Sequence, residues 1–140
     1  MSVPVYKRKE SKLEVFIKAR TLATYTIQIC ANDKTFPKEF RTLITGEIVK
    51  EAKDIFLNIC EANKVRVIDA SSAEERLGLQ QKANRGCDRL LWLIELAFKI
   101  FHLRAKRVEY WARLTLETHE LIRKWHATDK KRYADVLESN

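Results

Sequence analysis

The sequence predicts an all-α fold, an antiparallel four-helix bundle running up-down-up-down. Three observations lead there. Apolar residues recur at helical spacing along four segments of roughly 20–30 residues each. Only three Gly and two Pro occur in 140 residues, so little interrupts a helix. The segments are joined by short connections, which makes sequential helices antiparallel neighbours. At 46% hydrophobic and 33% charged, the chain has the balance of a folded domain, and its length suffices for one core.

Residues 1–10, MSVPVYKRKE, carry no periodicity and are expected to form a mobile basic N-terminal arm. Ser11 and Glu14 then have capping-box spacing, which opens a first helix from about Lys12 to Ala31. Its apolar residues fall on two stripes, one through Leu13, Phe16, Ala23, Ile27 and Cys30, the other through Val15, Ala19, Leu22 and Ile29. Asn32 to Thr35 is a turn, and Pro37 suits the first position of a second helix, from about Lys38 to Asn63. Ile44, Ile48, Ala52, Ile55, Ile59 and Ala62 give that helix a clean stripe. The β-branched run Val65 to Ile68 is too short for a sheet of its own.

Ser72 and Glu75 repeat the capping-box spacing and open a third helix that is expected to reach Leu103. Ala83, Cys87, Leu90, Ile94, Ala97 and Phe101 line one side of it. The run Leu90-Leu91-Trp92-Leu93-Ile94 is apolar all round the helix, which favours burial against another copy over a partly exposed Trp92 in a monomer. A fourth helix is expected from about Lys106 to Ala127, with Val108, Trp111, Ala112, Leu121, Ile122 and Trp125 inward. The bundle thus spans residues 11–127, and residues 128–140 form a basic C-terminal tail.

Charge is the feature that points to function. Six bases against two acids leave +4 in residues 1–20, eleven of each cancel in 21–98, and ten bases against four acids leave +6 in 99–134. Asp135 and Glu138 subtract two, so the net charge is +8, and a surplus of this kind attracts polyanions through counterion release. Lys82, Arg85 and Arg89 recur on one side of the third helix. Arg104, Lys106 and Arg107 cluster at the corner between the last two helices, and Arg113, Arg123 and Lys124 lie along the fourth. These nine residues are the candidate nucleic-acid contacts. Lys7, Arg8 and Lys9 should meet Lys130, Lys131 and Arg132 at one pole, where Tyr6 and Tyr133 are candidates for stacking on unpaired bases. With no base-reading motif, such a surface should bind backbone and shape rather than sequence.

Signals for other functions are missing from the pattern. Gly46, Gly78 and Gly86 are scattered rather than gathered into a phosphate-cradling loop. Gly78 and Gly86 flank Lys82 on one face, where close helix packing is the ordinary use and backbone approach to a phosphate strand the sharper one. Lys99, Leu116 and Arg123 stand three residues before His102, His119 and His126, so the Glu-x-x-His pairs of a di-iron bundle are missing. No catalytic residue, metal ligand or cofactor is therefore assigned. Cys30, Cys60 and Cys87 are an odd set on helical segments, expected as small buried hydrophobes. No apolar run approaches the ~18 residues of a membrane span, and no apolar leader follows the charged N-terminus, so a reducing cytoplasm is expected.

The stretch SVPVYKRKESKLEVFIKAR, the TFPKEF that follows and the helix EAKDIFLNICEAN resemble the accessory variability determinant proteins of diversity-generating retroelements. That group is in turn similar to four-helix-bundle proteins encoded in ribosomal RNA intervening sequences. The resemblance implies a basic homopentamer of four-helix protomers. It also implies partnership with the element's reverse transcriptase and binding of template RNA or RNA–DNA hybrid during mutagenic copying, without enzymatic activity. Within it, binding would fall to the bases already named on the third and fourth helices. Two other readings stay open: an rRNA-associated bundle that needs no reverse transcriptase, and a helical module that binds a protein partner.

Overall fold

The structure is a computed structural model that describes residues 5–138, with side chains described for 14–39 and 43–138. Its elements are α1 (Val5–Ala31), a 3-10 turn (Lys38–Phe40), a π-helical turn (Arg41–Thr45), α2 (Gly46–Lys64), α3 (Ala70–Ile100), α4 (Ala105–Arg132) and the short α5 (Ala134–Glu138). The four long helices pack in a ring in which α1 and α3 each touch both α2 and α4. Paired residues give the direction. Lys18 meets Glu117 and Thr26 meets Trp111 between α1 and α4, while Arg76 meets Asp129 and Asp88 meets His119 between α3 and α4. Numbers that rise on one helix as they fall on the other define an antiparallel, up-down-up-down bundle.

Five expected boundaries move, among them the end of α3, which comes at Ile100 rather than Leu103. Helix α1 already runs at Val5, so residues 5–10 are helical and Ser11 lies inside a helix rather than at its start. The side chains of Tyr6, Lys7, Arg8, Lys9, Ser11 and Leu13, and residues 1–4 altogether, lie outside the described residues. Helix α2 is regular α only from Gly46, because Thr42, Thr45 and Gly46 are weak helix formers after Pro37 and the chain takes 3-10 and π turns there. Helix α3 begins one turn early. Asp69, in extended backbone, is the N-cap: its Oδ1 accepts from the Ser72 amide at 2.8 Å, and the Ser72 hydroxyl oxygen accepts from the Asp69 amide at 3.1 Å. The earlier start buries Ala70 and Ala73. Helix α4 continues past Ala127 to Arg132, because Asp129 is wholly buried against α3, and α5 follows it. Residues 128–138 are therefore packed helix, not a tail.

The core is made by Val15, Ala19, Leu22 and Ile29 of α1, the whole predicted stripe of α2, Ala83 through Ala97 of α3, and Trp111, Leu114, Ile122 and Trp125 of α4. Of the two stripes on α1, the second is buried throughout, while the first is split: Ala23 and Cys30 are buried and Ile27 is 42% exposed. Thr26 takes a core place instead, since its hydroxyl accepts the indole N–H of the fully buried Trp111 at 2.9 Å. Near the α3–α4 corner, Phe36 packs edge-to-face on Phe101 at 5.2 Å, and buried Leu103 anchors a link that has no Gly or Pro.

Two glycines on α3 have opposite surroundings. A Cβ on Gly86 would stand 2.8 Å from Ile55 Cγ1 of α2, so the missing side chain is what lets these helices approach. Gly78 is exposed and open. Gly86→Ala should lower unfolding free energy by about 1–3 kcal/mol through overpacking. Gly78→Ala should raise it by roughly 0.5–1 kcal/mol through backbone entropy. Urea denaturation of both variants checks the pair.

Candidate nucleic-acid interface

Helix α3 buries one side against α2 and α4 and turns the opposite side to water. Lys82, Arg85, Arg89, Trp92, Leu96 and Lys99 follow one another at steps of three and four residues, so they share a single stripe, and all are exposed. At 1.5 Å per residue the stripe is about 26 Å long. Lys82, Arg85 and Lys99 form no ion pair among the described residues. Arg89 donates from Nε to Glu51 Oε2 of α2 at 3.1 Å, yet its side chain stays 65% exposed. Two carboxylates flank the stripe: Asp88, half-buried and 3.2 Å from His119, lies one turn from Arg85 and Trp92, and exposed Glu95 lies one turn from Trp92 and Lys99.

The candidates on α4 do not gather in this way. Lys106 and Lys124 are exposed and unpaired among the described residues, as is Arg104, which ends the link and caps α4 through its backbone alone. Arg107 turns inward, and its Nη1 donates to the Thr35 hydroxyl at 2.6 Å, tying the α1–α2 turn to the start of α4. Arg113 lies 3.8 Å from Glu117 and covers the Tyr110 ring at 5.6 Å. Arg123 makes two bonds to Glu120, at 3.0 and 2.6 Å, which hold that carboxyl below its ordinary range. Glu117 is likewise held low by the ammonium of Lys18 at 2.8 Å. Of these six bases, Arg113 and Arg123 thus have their charge answered locally by surface ion pairs.

The end of the bundle where α4 finishes holds a polar cluster that periodicity gave no reason to expect. Arg76 is 4% exposed, and its Nε donates to Asp129 Oδ2 at 2.7 Å. Gln80 Nε2 donates to the same oxygen at 2.7 Å, and Arg76 Nη1 reaches the Ala62 carbonyl at 3.4 Å. The guanidinium lies 5.4 Å from the Trp125 ring centroid and 6.0 Å from that of Tyr133. Tyr133 is half-buried between Arg76 and Arg132, so it does not stand free at a basic pole. Arg132 itself is 3.7 Å from Asp129. Lys130 and Lys131 stay exposed.

The three cysteine thiols are held in their protonated form. Burial pushes the Cys30 thiol up to about 12 and drives Cys87 higher still, with Cys60 raised for the same reason, so thiolate is scarce at neutral pH. His119 Nε2 is 3.2 Å from Asp88 across the α3–α4 seam. Among the described residues, no three His, Cys, Asp or Glu side chains converge as metal ligands, and no helix is long and apolar enough to cross a membrane. The arrangement suits binding an extended anion along α3.

Sequence reasoning grouped Lys82, Arg85 and Arg89 on one side of α3, where the structure leaves them exposed, but left Trp92 and Lys99 out of that group. The steps of three and four residues from Arg89 through Trp92 and Leu96 to Lys99 were visible, but the apolar run at 90–94 drew Trp92 toward a core or subunit contact. Comparison with protein-family models, with curated proteins and with solved structures finds no match.

Removing one member of a buried ion pair strands the other, so Asp129→Ala should cost about 3–5 kcal/mol in urea denaturation. His126 is depressed below its usual 6.5, chiefly by burial and further by Lys130, with Asp129 opposing. Its stabilising effect is therefore complete above 6.5 and is lost as pH falls through that value toward the lower folded pKa. Between pH 7.5 and 5.5, His126→Gln should show a smaller loss of stability than the parent chain.

Proposed function

We propose that this protein is a non-enzymatic accessory factor of a diversity-generating retroelement. It binds template RNA and RNA–DNA hybrid and associates with the reverse transcriptase during mutagenic copying. The observation that carries the nucleic-acid part is the row of exposed Lys82, Arg85, Arg89 and Lys99 on α3 of a +8 chain, of which only Arg89 forms an ion pair among the described residues. The reverse transcriptase, the retroelement setting and homopentameric assembly in the cytoplasm rest on the resemblance of the sequence pattern. Exposed Ile27, Leu43 and Leu57, at 42%, 71% and 50%, supply apolar surface for such assembly. A ring would also multiply a weak polyanion contact by raising its effective concentration.

A protein-interaction module is the second reading, favoured by Trp92, Leu96 and Ile100, which leave 66%, 50% and 56% of their surface in water. An rRNA-associated bundle differs from the first reading in its partner. A neighbouring reverse transcriptase gene with a template and variable repeat pair supports the retroelement; a ribosomal RNA setting supports the alternative.

If about six phosphates are contacted, affinity for a generic RNA should fall roughly 10³-fold between 50 and 200 mM salt. Lys82→Gln with Arg85→Gln should lower the slope of log affinity against log salt by about two. These two side chains have no ion-pair partner to strand, unlike Arg89 and Arg123. A salt-independent or undetectable RNA affinity, measured by fluorescence anisotropy, sinks the nucleic-acid reading.

A further inference from the structure

We infer that Trp92 is a base-stacking platform, and that the α3 stripe takes single-stranded nucleic acid with unpaired bases in preference to duplex. The inference rests on the polyanion-binding reading of the same stripe and specifies its ligand. Trp111 is fully buried and Trp125 is 7% exposed, each inside the core, whereas Trp92 leaves 66% of its surface in water. The other exposed or half-exposed aromatic residues with a polar edge are already engaged. Tyr110 stands against Tyr25 at 4.9 Å with Arg113 over its ring, and Tyr133 is held by Arg76 and Arg132. Trp92 has no ring or cation contact among the described residues.

Its neighbours on the stripe are suited to a strand of phosphates. Arg89 precedes it by about 4.5 Å along the helix axis, Arg85 precedes it by about 10.5 Å, and Lys99 follows at about 10.5 Å. A strand laid along α3 would meet cations before and after the indole, which could then receive a base lying between. Leu96, 50% exposed one turn on, extends the apolar floor under such a base. In a duplex the π-faces are already stacked on one another, so only unpaired bases offer a face to Trp92. Exposed Lys82, Arg85 and Lys99, which form no ion pair among the described residues, outnumber the flanking Asp88 and Glu95 and argue for a polyanion over a protein partner, which would have to bring acids to meet them.

The test uses the full chain with a fluorescent oligouridine of about twenty nucleotides and an RNA duplex of equal length, each titrated at several salt concentrations between about 50 and 200 mM. Intrinsic fluorescence should fall on binding the single strand, and Trp92→Leu should remove that change. The same variant should weaken single-strand binding roughly fivefold to a hundredfold, leave its salt slope unchanged and leave duplex binding unaltered. Trp92→Tyr should restore most of the loss. An exposed side chain makes folding of these variants straightforward to verify by circular dichroism.

Equal loss on both ligands, or no loss on either, overturns stacking while leaving the cationic interface standing. Unchanged nucleic-acid affinity with an altered mass by light scattering assigns Trp92 to a protein contact and overturns the inference as well. A parent chain that binds neither ligand refutes the polyanion reading, and this inference with it.

Discussion

The buried pair of Arg76 and Asp129 constrains how α3 lies against α4. At 2.7 Å, in a site where both side chains are at least 95% covered, each charge has the other as its counterion. Such a pair adds little net stability over apolar residues of similar volume, because both groups were taken out of water. Its force lies in what it forbids. Sliding α4 by a turn, or rotating α3 by a residue, would leave a guanidinium or a carboxylate buried alone. Gln80 and the rings of Trp125 and Tyr133 close around the pair and hold the last turn of α4 in the bundle.

On its other side α3 is pinned by Gly86, which admits Ile55 of α2 where no larger residue would pass. With both flanks held, the outward side of the helix has no freedom left. Lys82, Arg85, Arg89, Trp92, Leu96 and Lys99 stay exposed on that side, with Glu95 exposed beside them and Asp88 half-buried. The interface is thus a by-product of two buried contacts that touch none of its members.

Neutralisation separates the two basic helices. Glu117 lies within reach of Lys18 and Arg113, and Glu120 takes both bonds of Arg123, so the outer side of α4 alternates in sign. On α3 the only partner for a stripe base is Glu51, which reaches Arg89 from the neighbouring helix. Local pairing, rather than the number of bases, decides which surface presents positive charge to a polyanion.

Periodicity alone determined the four helices, their antiparallel order and most of the core, because apolar spacing reports directly which side of a helix leaves water. It also placed Lys82, Arg85 and Arg89 together, since residues three and four apart share a side of any helix. Only the tertiary structure decided that Arg107 turns to Thr35, that Arg123 spends its charge on Glu120, that Asp129 belongs to the core and that Trp92 does not. Thr26, Arg76, Gln80 and Asp129 carry polar side chains into the interior, so no hydrophobic pattern marks them. Whether a charge is free depends on which residue stands opposite it on the next helix. That register is set by shape and by buried pairs between segments distant in sequence, and a single helix's periodicity holds no record of it.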